Sequence, residues 1–281
     1  MIGIFDSGLG GLTVLRRVRA ELPDEPLLYF ADQAHVPYGG RSIEDLRELL
    51  ARNVAYLEGQ GADAIVMGCN TSCAIARRYG WPPASVPILD LIDAAAEAVA
   101  ALGARRIGVI ATAATAKSGA YGEAIRARVP GAGVQEVGAP ELVPLVEAGM
   151  LIGPIARDAV LRACAPFRRP LDVLILACTH FPLLDEHFEE AFGPEVLRLD
   201  PAVAQAARAV AFARERAPQL ALVPLARVRT RFVTNGPLPA FSAAVRRIVG
   251  ELEETEQTEE QHDGGESEGR SRYDLHQRVR V

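Results

Sequence analysis

The amino-acid sequence predicts an α/β fold made of two pseudo-symmetric, doubly wound parallel-sheet domains. Apolar strand-like runs alternate with helical runs, and this pattern occurs twice along the chain. Residues 63–71 align with residues 172–180, and residues 2–7 align with residues 107–112, at nearly the same offset. Two matched pairs of segments at one offset indicate two similar halves.

The first half opens with a strand, a glycine-rich turn and a helix. Residues 1–5 are predicted as a short buried strand, and residues 6–11 (DSGLGG) as a tight turn. Apolar residues at helical spacing over residues 12–22 predict a helix, which Pro23 ends.

The next elements continue the alternation. Residues 27–31 are predicted as a second strand, and Ser42 as the cap of a helix that runs to about residue 59. Residues 62–68 are predicted as a third strand, which leads into Cys69. Alternation of this kind is typical of a parallel sheet with helices on both faces.

The chain is predicted to cross between the two domains twice. The first crossing is the alanine-rich helix 91–102, within a linker near residues 90–105. The second lies near Asp200 and Pro201, after which helix 202–217 returns to the first domain and strand 229–234 joins its sheet. The expected units are a first domain of residues 1–95 plus 205–250, a second domain of residues 96–204, and a tail of residues 251–281.

The tail differs from the rest of the chain in charge and composition. Residues 251–281 contain ten acidic residues and four arginines, which accounts for the whole net charge of -6. With almost no apolar residues, this segment is predicted to be a disordered acidic tail. The remaining body is electrically neutral and has no basic stripe, which argues against a nucleic-acid or anionic-membrane surface.

The N-terminal sequence and the hydropathy bear on location. No apolar run approaches the roughly 18 residues that a membrane span needs. The first strand-like run begins at Ile2, which leaves no room for a signal peptide. We therefore expect a cytoplasmic protein without a membrane partner, whose four cysteines are thiols.

Cys69 and Cys178 occupy equivalent positions in the two halves. Each follows an apolar strand at its carboxyl end, where open α/β sheets bind ligands. If the halves face each other, the two cysteines lie on opposite walls of one cleft, which is the expected active site. A buried cysteine often only fills space, but polar residues directly follow both of these. They are Asn70 and Thr71 in the first half, and Thr179 and His180 in the second.

Two thiols on opposite sides of one carbon atom would form a two-base pair. One thiolate removes a proton from one face while the other thiol delivers a proton to the opposite face, so that the stereocentre inverts. General acid–base steps of this kind contribute roughly 10²- to 10⁴-fold each. The pattern predicts racemisation or epimerisation chemistry if the cleft exists.

The glycine-rich turn 6–11 has two interpretations. Glycine-rich turns before helices bind anions, but this one matches neither common nucleotide fingerprint, and Asp6 would repel a phosphate. We expect Asp6 to bind a substrate ammonium group while nearby N–H groups and hydroxyls hold a carboxylate. A plain structural turn is the alternative.

Other candidate groups remain open at the level of sequence. His180 suggests a nucleophile pair with Cys178, a metal site or a proton relay, but no second ligand pair with zinc spacing accompanies Cys69 and Cys73. Cys73 and Cys164 are predicted to be packing residues. His35 and His187 are predicted to be solvated or structural, and Thr112, Thr115 and Ser118 are either helix caps or carboxylate binders.

Six stretches carry a family resemblance. They are residues 2–11 (IGIFDSGLGG), 29–39 (YFADQAHVPYG), 68–74 (GCNTSCA), 107–121 (IGVIATAATAKSGAY), 142–149 (LVPLVEAG) and 176–184 (LACTHFPLL). In these stretches, which cover most of residues 1–200, the chain closely resembles the glutamate racemases of the aspartate/glutamate racemase superfamily. Several motifs together are far more specific than any one.

The resemblance implies an enzyme without cofactor or metal that interconverts L- and D-glutamate for peptidoglycan synthesis. It implies that Cys69 and Cys178 are catalytic, that Asp6 and His180 assist them, and that Glu147 is a more distant candidate. The implied substrate contacts are Asp6, Ser7, Tyr38, Gly39, Asn70, Thr71, Thr179 and His180. The family fold, two pseudo-symmetric domains with the site between them, agrees with the repeat.

Several alternatives stay open. The first is an aspartate racemase or another isomerase of the same superfamily. The second is a non-catalytic amino-acid-binding regulator, and the third is a redox or metal protein that uses Cys69 and Cys73. The expected partner is a small-molecule substrate, and a homodimer is one possible assembly.

Overall fold

Two β-sheets form the framework of the computed structural model, which describes residues 1–216, 230–250, 254–261 and 272–279. In spatial order, the first sheet contains β11 (Arg272–Val279), β10 (Glu254–Gln261), β9 (Thr230–Thr234), β2 (Leu27–Ala31), β1 (Ile2–Asp6), β3 (Ala64–Met67) and β4 (Ile88–Leu89). The second contains β6 (Gly133–Gly138), β5 (Arg106–Ala111), β7 (Val173–Ala177) and β8 (Leu197–Leu199). Paired strands are parallel, except that β10 and β11 are antiparallel.

Helices connect these strands. In chain order they are α1 (Leu12–Glu21), α2 (Ile43–Gly59), α3 (Asn70–Tyr79), α4 (Leu91–Leu102), α5 (Ala113–Ser118), α6 (Ala120–Arg128), α7 (Leu142–Glu147), α8 (Pro154–Cys164), α9 (Asp185–Phe192), α10 (Pro201–Arg216) and α11 (Leu238–Val249). Short 3₁₀ turns lie at Gln33–His35, Tyr38–Gly40 and Phe181–Leu184.

The strand order repeats between the two sheets. The series β2–β1–β3–β4 in the first sheet corresponds to β6–β5–β7–β8 in the second. The central strands β1 and β5, which carry the repeated sequence, therefore occupy the same place in each sheet. The predicted fold class of two doubly wound parallel-sheet domains is confirmed.

The local sequence explains why these elements form. Every residue of β1, β2 and β7 is buried, as expected for parallel strands covered on both faces. Ser42 caps α2, because its side chain accepts a hydrogen bond from the backbone N–H of Asp45 at 3.1 Å. The helices predicted over residues 12–22, up to about residue 59 and over 91–102 are observed as α1, α2 and α4, and their ends agree within one residue.

The two crossings between the sheets lie at α4 and α10. These two helices pack against each other, and Arg208 of α10 donates a hydrogen bond to Asp93 of α4 at 2.6 Å. The predicted boundaries at residues 95–96 and 204–205 fall inside these helices, so they remain predictions. Residues 217 and 229, a predicted helix end and strand start, lie outside the described residues.

The structure differs from the prediction of a disordered tail. Residues 254–261 and 272–279 form β10 and β11, and β10 pairs with β9 from Glu254–Arg231 to Gln257–Thr234. The prediction counted apolar side chains, whereas the unpaired backbone groups at the edge of β9 offer hydrogen bonds that composition does not register. The rest of the tail lies outside the described residues.

One further feature concerns membranes. Across the described ranges, no helix combines the length and hydropathy that a membrane crossing requires.

Candidate active site

Three chemically active side chains follow the carboxyl ends of parallel strands. Asp6 is the last residue of β1, Cys69 lies between β3 and α3, and Cys178 directly follows β7. All three are buried, with relative exposures of 1%, 4% and 6%. The sheet topology therefore places these groups where α/β sheets bind ligands.

The loop 6–11 lies between Cys69 and the segment that contains Cys178 and Thr179. The Cys69 sulfur lies 3.5 Å from the hydroxyl oxygen of Ser7. On the other side, the backbone of Gly10 packs so closely on Thr179 that an added Cβ would overlap the threonine side chain. Because Thr179 directly follows Cys178, the motifs from both domains border one loop.

The Cys178 side of the site contains a chain of three polar groups. The Cys178 sulfur lies 3.7 Å from Nδ1 of His180, and Nε2 of that ring lies 2.5 Å from Oε1 of Glu147. Burial lowers the pKa of His180, but its contacts with Cys178 and Glu147 outweigh burial and raise the pKa to about 10. The same hydrogen bond lowers the pKa of Glu147. The ring is therefore an imidazolium near neutral pH.

The Cys69 side has the opposite charge environment. Burial raises the pKa of Asp6, although the backbone N–H of Gly11 donates a hydrogen bond to its Oδ2 at 2.6 Å. Burial and the negative charge of Asp6 together raise the pKa of the Cys69 thiol to about 11. Among the described residues, Oδ1 of Asp6 has no hydrogen-bond partner. This oxygen is a buried acceptor, which a hydrogen-bond donor would satisfy.

The predicted contacts Tyr38 and Gly39 have different surroundings. The backbone of Gly39 lies against the second domain, where an added Cβ would be 2.9 Å from Cβ of Thr112. The Tyr38 hydroxyl instead donates a hydrogen bond to Asp32 and accepts one from Asn53 at 3.0 Å. The Tyr38 side chain thus anchors its loop within the first domain.

Asp32 is the centre of a buried polar cluster that the sequence analysis missed. Its carboxylate lies 2.6 Å from Nδ1 of His35, and it accepts hydrogen bonds from Tyr38, Asn53 and Asn235. Burial raises the pKa of Asp32, but these hydrogen bonds outweigh burial and lower the pKa below its ordinary value. Its position immediately after β2 was the only available signal in the sequence.

The predicted contacts Asn70 and Thr71 hydrogen-bond to the second domain. The Tyr121 hydroxyl donates to Oδ1 of Asn70, and the hydroxyl oxygens of Thr71 and Thr112 lie 3.1 Å apart. Thr112 also caps α5, because it accepts a hydrogen bond from the backbone N–H of Thr115 at 3.3 Å. Capping, one of its two predicted roles, is therefore observed.

The remaining cysteines and histidines have structural surroundings. Cys73 and Cys164 are buried in two different apolar clusters, and burial raises the pKa of both thiols. His187 donates a hydrogen bond to the carbonyl of Leu151 at 3.0 Å. No group of three or more His, Cys, Asp or Glu side chains suited to a metal ion occurs in the part of the chain that the structure describes.

The sequence comparisons agree with this geometry. The model of the Asp/Glu/hydantoin racemase family matches residues 12–209. The chain belongs to this family. The glutamate racemase of Desulforudis audaxviator is 42% identical to it over 256 residues, which are 89% of this chain and 93% of that relative.

Solved racemase structures share the fold of this family member. The glutamate racemase of Francisella tularensis, solved with D-glutamate, has a TM-score of 0.80 and 28% identity, covering 89% of this chain and 94% of its own. The glutamate racemase of Thermus thermophilus, solved with β-chloro-D-alanine, has a TM-score of 0.76 and 35% identity, covering 92% and 96%. The predicted resemblance is confirmed, and the chain is a racemase-family enzyme.

Proposed function

We propose that this protein is a cofactor-independent glutamate racemase in which Cys69 and Cys178 are the two bases. One observation carries the proposal: buried cysteines from equivalent strands of two duplicated domains border the same loop, each with its own polar partners. The glutamate racemases at 42% and 35% identity support glutamate as the substrate. In this proposal the enzyme is cytoplasmic and supplies D-glutamate for peptidoglycan synthesis.

The reaction needs no change in oxidation state. One thiolate removes the Cα proton, so that a C–H bond breaks, an S–H bond forms and the electron pair stays on the substrate as a carbanion. The opposite thiol then protonates the other face, and its S–H bond becomes the new C–H bond. Fixed dipoles stabilise the carbanion, and the backbone N–H groups at the start of α3, beside Cys69, supply such dipoles.

The two sides of the cleft are suited to different states at the start of a turnover. The imidazolium of His180 lies 3.7 Å from the Cys178 sulfur, so a positive charge faces this proposed base. Cys69, with a pKa of about 11, begins as the protonated thiol. A substrate ammonium bound to Asp6 would cancel the carboxylate charge that opposes Cys69 ionisation, so Cys69 can act as the base for the other enantiomer.

Replacement of each cysteine tests the two-base assignment. We expect Cys69→Ala and Cys178→Ala to lose racemisation by about 10²- to 10⁴-fold. In deuterium oxide, each variant should still exchange the Cα proton of one enantiomer only, and the two variants should differ in which one. Cys164→Ala, which changes a thiol in the apolar core of the second domain, is the control. Near-normal turnover in either variant of the pair would refute the assignment.

Chiral separation of products from L-glutamate and L-aspartate tests the substrate. Turnover of glutamate alone supports the proposal, whereas preferential turnover of aspartate would identify the aspartate racemase alternative. Tight glutamate binding without deuterium at Cα would instead identify a non-catalytic regulator, since binding alone requires no base on either face.

A further inference from the structure

A tyrosine of the second domain contacts the residue that follows Cys69. The Tyr121 hydroxyl, on α6, donates a hydrogen bond to Oδ1 of Asn70, the first residue of α3. Both side chains are buried, with relative exposures of 0% and 3%. This hydrogen bond therefore spans the two domains next to one of the proposed bases.

The contact is made by the oxygen end of an amide. A carboxamide has one acceptor oxygen and an NH₂ group with two donors, and the two ends can exchange by rotation. Burial raises the pKa of Tyr121 well above its ordinary value, so its hydroxyl stays protonated and able to donate. With Oδ1 of Asn70 occupied by Tyr121, the NH₂ group is directed to the other side.

The NH₂ group of Asn70 is free for a ligand. Among the described residues, Nδ2 donates no hydrogen bond to the protein, and it is not one of the fully enclosed atoms without a partner. Because Asn70 directly follows Cys69, this donor lies at the cysteine end of the cleft. An acidic amino acid bound there would present a carboxylate, which is an acceptor only.

We propose that Tyr121 is a positioning residue that holds the Asn70 carboxamide with its NH₂ group toward a carboxylate of the bound amino acid. The reverse orientation would place the amide oxygen against that carboxylate, and the repulsion would weaken binding. Tyr121 thus favours binding of a carboxylate at Asn70 without touching the substrate. This inference rests on the proposed racemase function and adds a residue that determines affinity.

Steady-state kinetics on two single variants and their double variant test the inference. Loss of one neutral hydrogen bond predicts that Tyr121→Phe raises the KM for glutamate about 3- to 10-fold, with a much smaller change in kcat. Asn70→Ala should raise KM at least as much, and adding Tyr121→Phe to Asn70→Ala should then change nothing further. Tyr56→Phe, which alters a buried tyrosine of α2 packed on Phe30, is the matched control.

Two outcomes would overturn the inference. One is an unchanged KM in Tyr121→Phe. The other is that Tyr121→Phe raises KM by the same factor in the wild-type protein and in the Asn70→Ala variant, which would show that Tyr121 acts only through packing. Asn70→Asp provides a second test that keeps Tyr121 intact. It retains an acceptor for the hydroxyl but replaces the NH₂ group by oxygen, so its KM should exceed that of Asn70→Ala, and a lower value would contradict the proposal.

The same variants separate this inference from the proposed function. If the wild-type enzyme racemises glutamate but the variants do not show the expected increases in KM, only the role of Tyr121 is wrong. If the wild-type protein binds D-glutamate without racemising it, the Kd of each variant is compared with that of the wild type by calorimetry. The expected increases in Kd would then show that only the catalytic proposal is wrong.

Discussion

Nε2 of His180 lies 2.5 Å from Oε1 of Glu147, although the two residues are 33 positions apart in the chain. The opposite nitrogen of the same ring faces the Cys178 sulfur at 3.7 Å. Cys69, in contrast, is within the electrostatic reach of the Asp6 carboxylate. One proposed base therefore lies beside a cation and the other beside an anion, so the charged neighbours of the two bases titrate differently.

Replacing Glu147 by glutamine should shift the loss of kcat/KM at alkaline pH to a lower pH. Glu147 helps to raise the pKa of His180 to about 10. Without that negative charge the imidazolium loses its proton at a lower pH, so the positive charge beside the Cys178 sulfur is lost earlier. We expect a shift of about one to two pH units in the profile of kcat/KM. Glu141→Gln is the control, because Glu141 is exposed and directly precedes α7, the helix that ends at Glu147. An unshifted profile in Glu147→Gln would contradict the proposed coupling of Glu147, His180 and Cys178.

Replacing Asp6 by asparagine should have opposite effects on thiol ionisation and on activity. The Asp6 charge contributes to the pKa of about 11 at Cys69, so its removal should lower that pKa by roughly one unit. Turnover should nevertheless fall, because the substrate ammonium loses its partner. The thiolate absorbance near 240 nm, measured as a difference from Cys69→Ala, reports the pKa. Asp24→Asn serves as an exposed control, and an unchanged Cys69 titration would disprove the coupling.

Replacing Gly10 by alanine should separate the walls of the cleft. The added Cβ would overlap Thr179, so the loop 6–11 and the Cys178 motif must move apart. Displacement of about 1 Å in a catalytic site reduces activity on the order of 100-fold. Gly40→Ala is a matched control, since an added Cβ there meets no atom within 4 Å. Measurement of kcat/KM together with the melting temperature distinguishes this effect from unfolding, and normal kcat/KM in Gly10→Ala would refute it.

Deletion of residues 251–281 should preserve turnover but promote self-association. None of the proposed site residues lies in this segment, so kcat/KM per folded molecule should remain nearly unchanged. Removal of β10 leaves the outer edge of β9 unpaired, and exposed strand edges pair with other chains. The apparent molar mass measured by light scattering should therefore rise with protein concentration in the truncated form only. A large loss of turnover would show that the tail supports the site.

The sequence was sufficient to predict elements whose information is local. Short apolar runs predicted the strands β1 and β2, and apolar residues at helical spacing predicted the helix α1. The repeated segments predicted two equivalent sheets. Placement of Cys69 and Cys178 at equivalent strand ends also followed from the repeat. These features were predictable because the side-chain periodicity of a strand or helix is carried by consecutive residues of the chain.

Tertiary structure alone decided which side chains meet. Tyr121 reaches Asn70 across 51 positions, and Asn235 reaches Asp32 across 203 positions. No sequence period connects such pairs, because their contacts depend on how helices and loops pack over two sheets. The pairing of β10 with β9 has the same origin: a backbone edge attracts a strand through its free N–H and C=O groups, which composition does not reveal. The sequence by itself therefore determined the duplicated framework and its two cysteines, whereas packing determined which charged groups lie beside them.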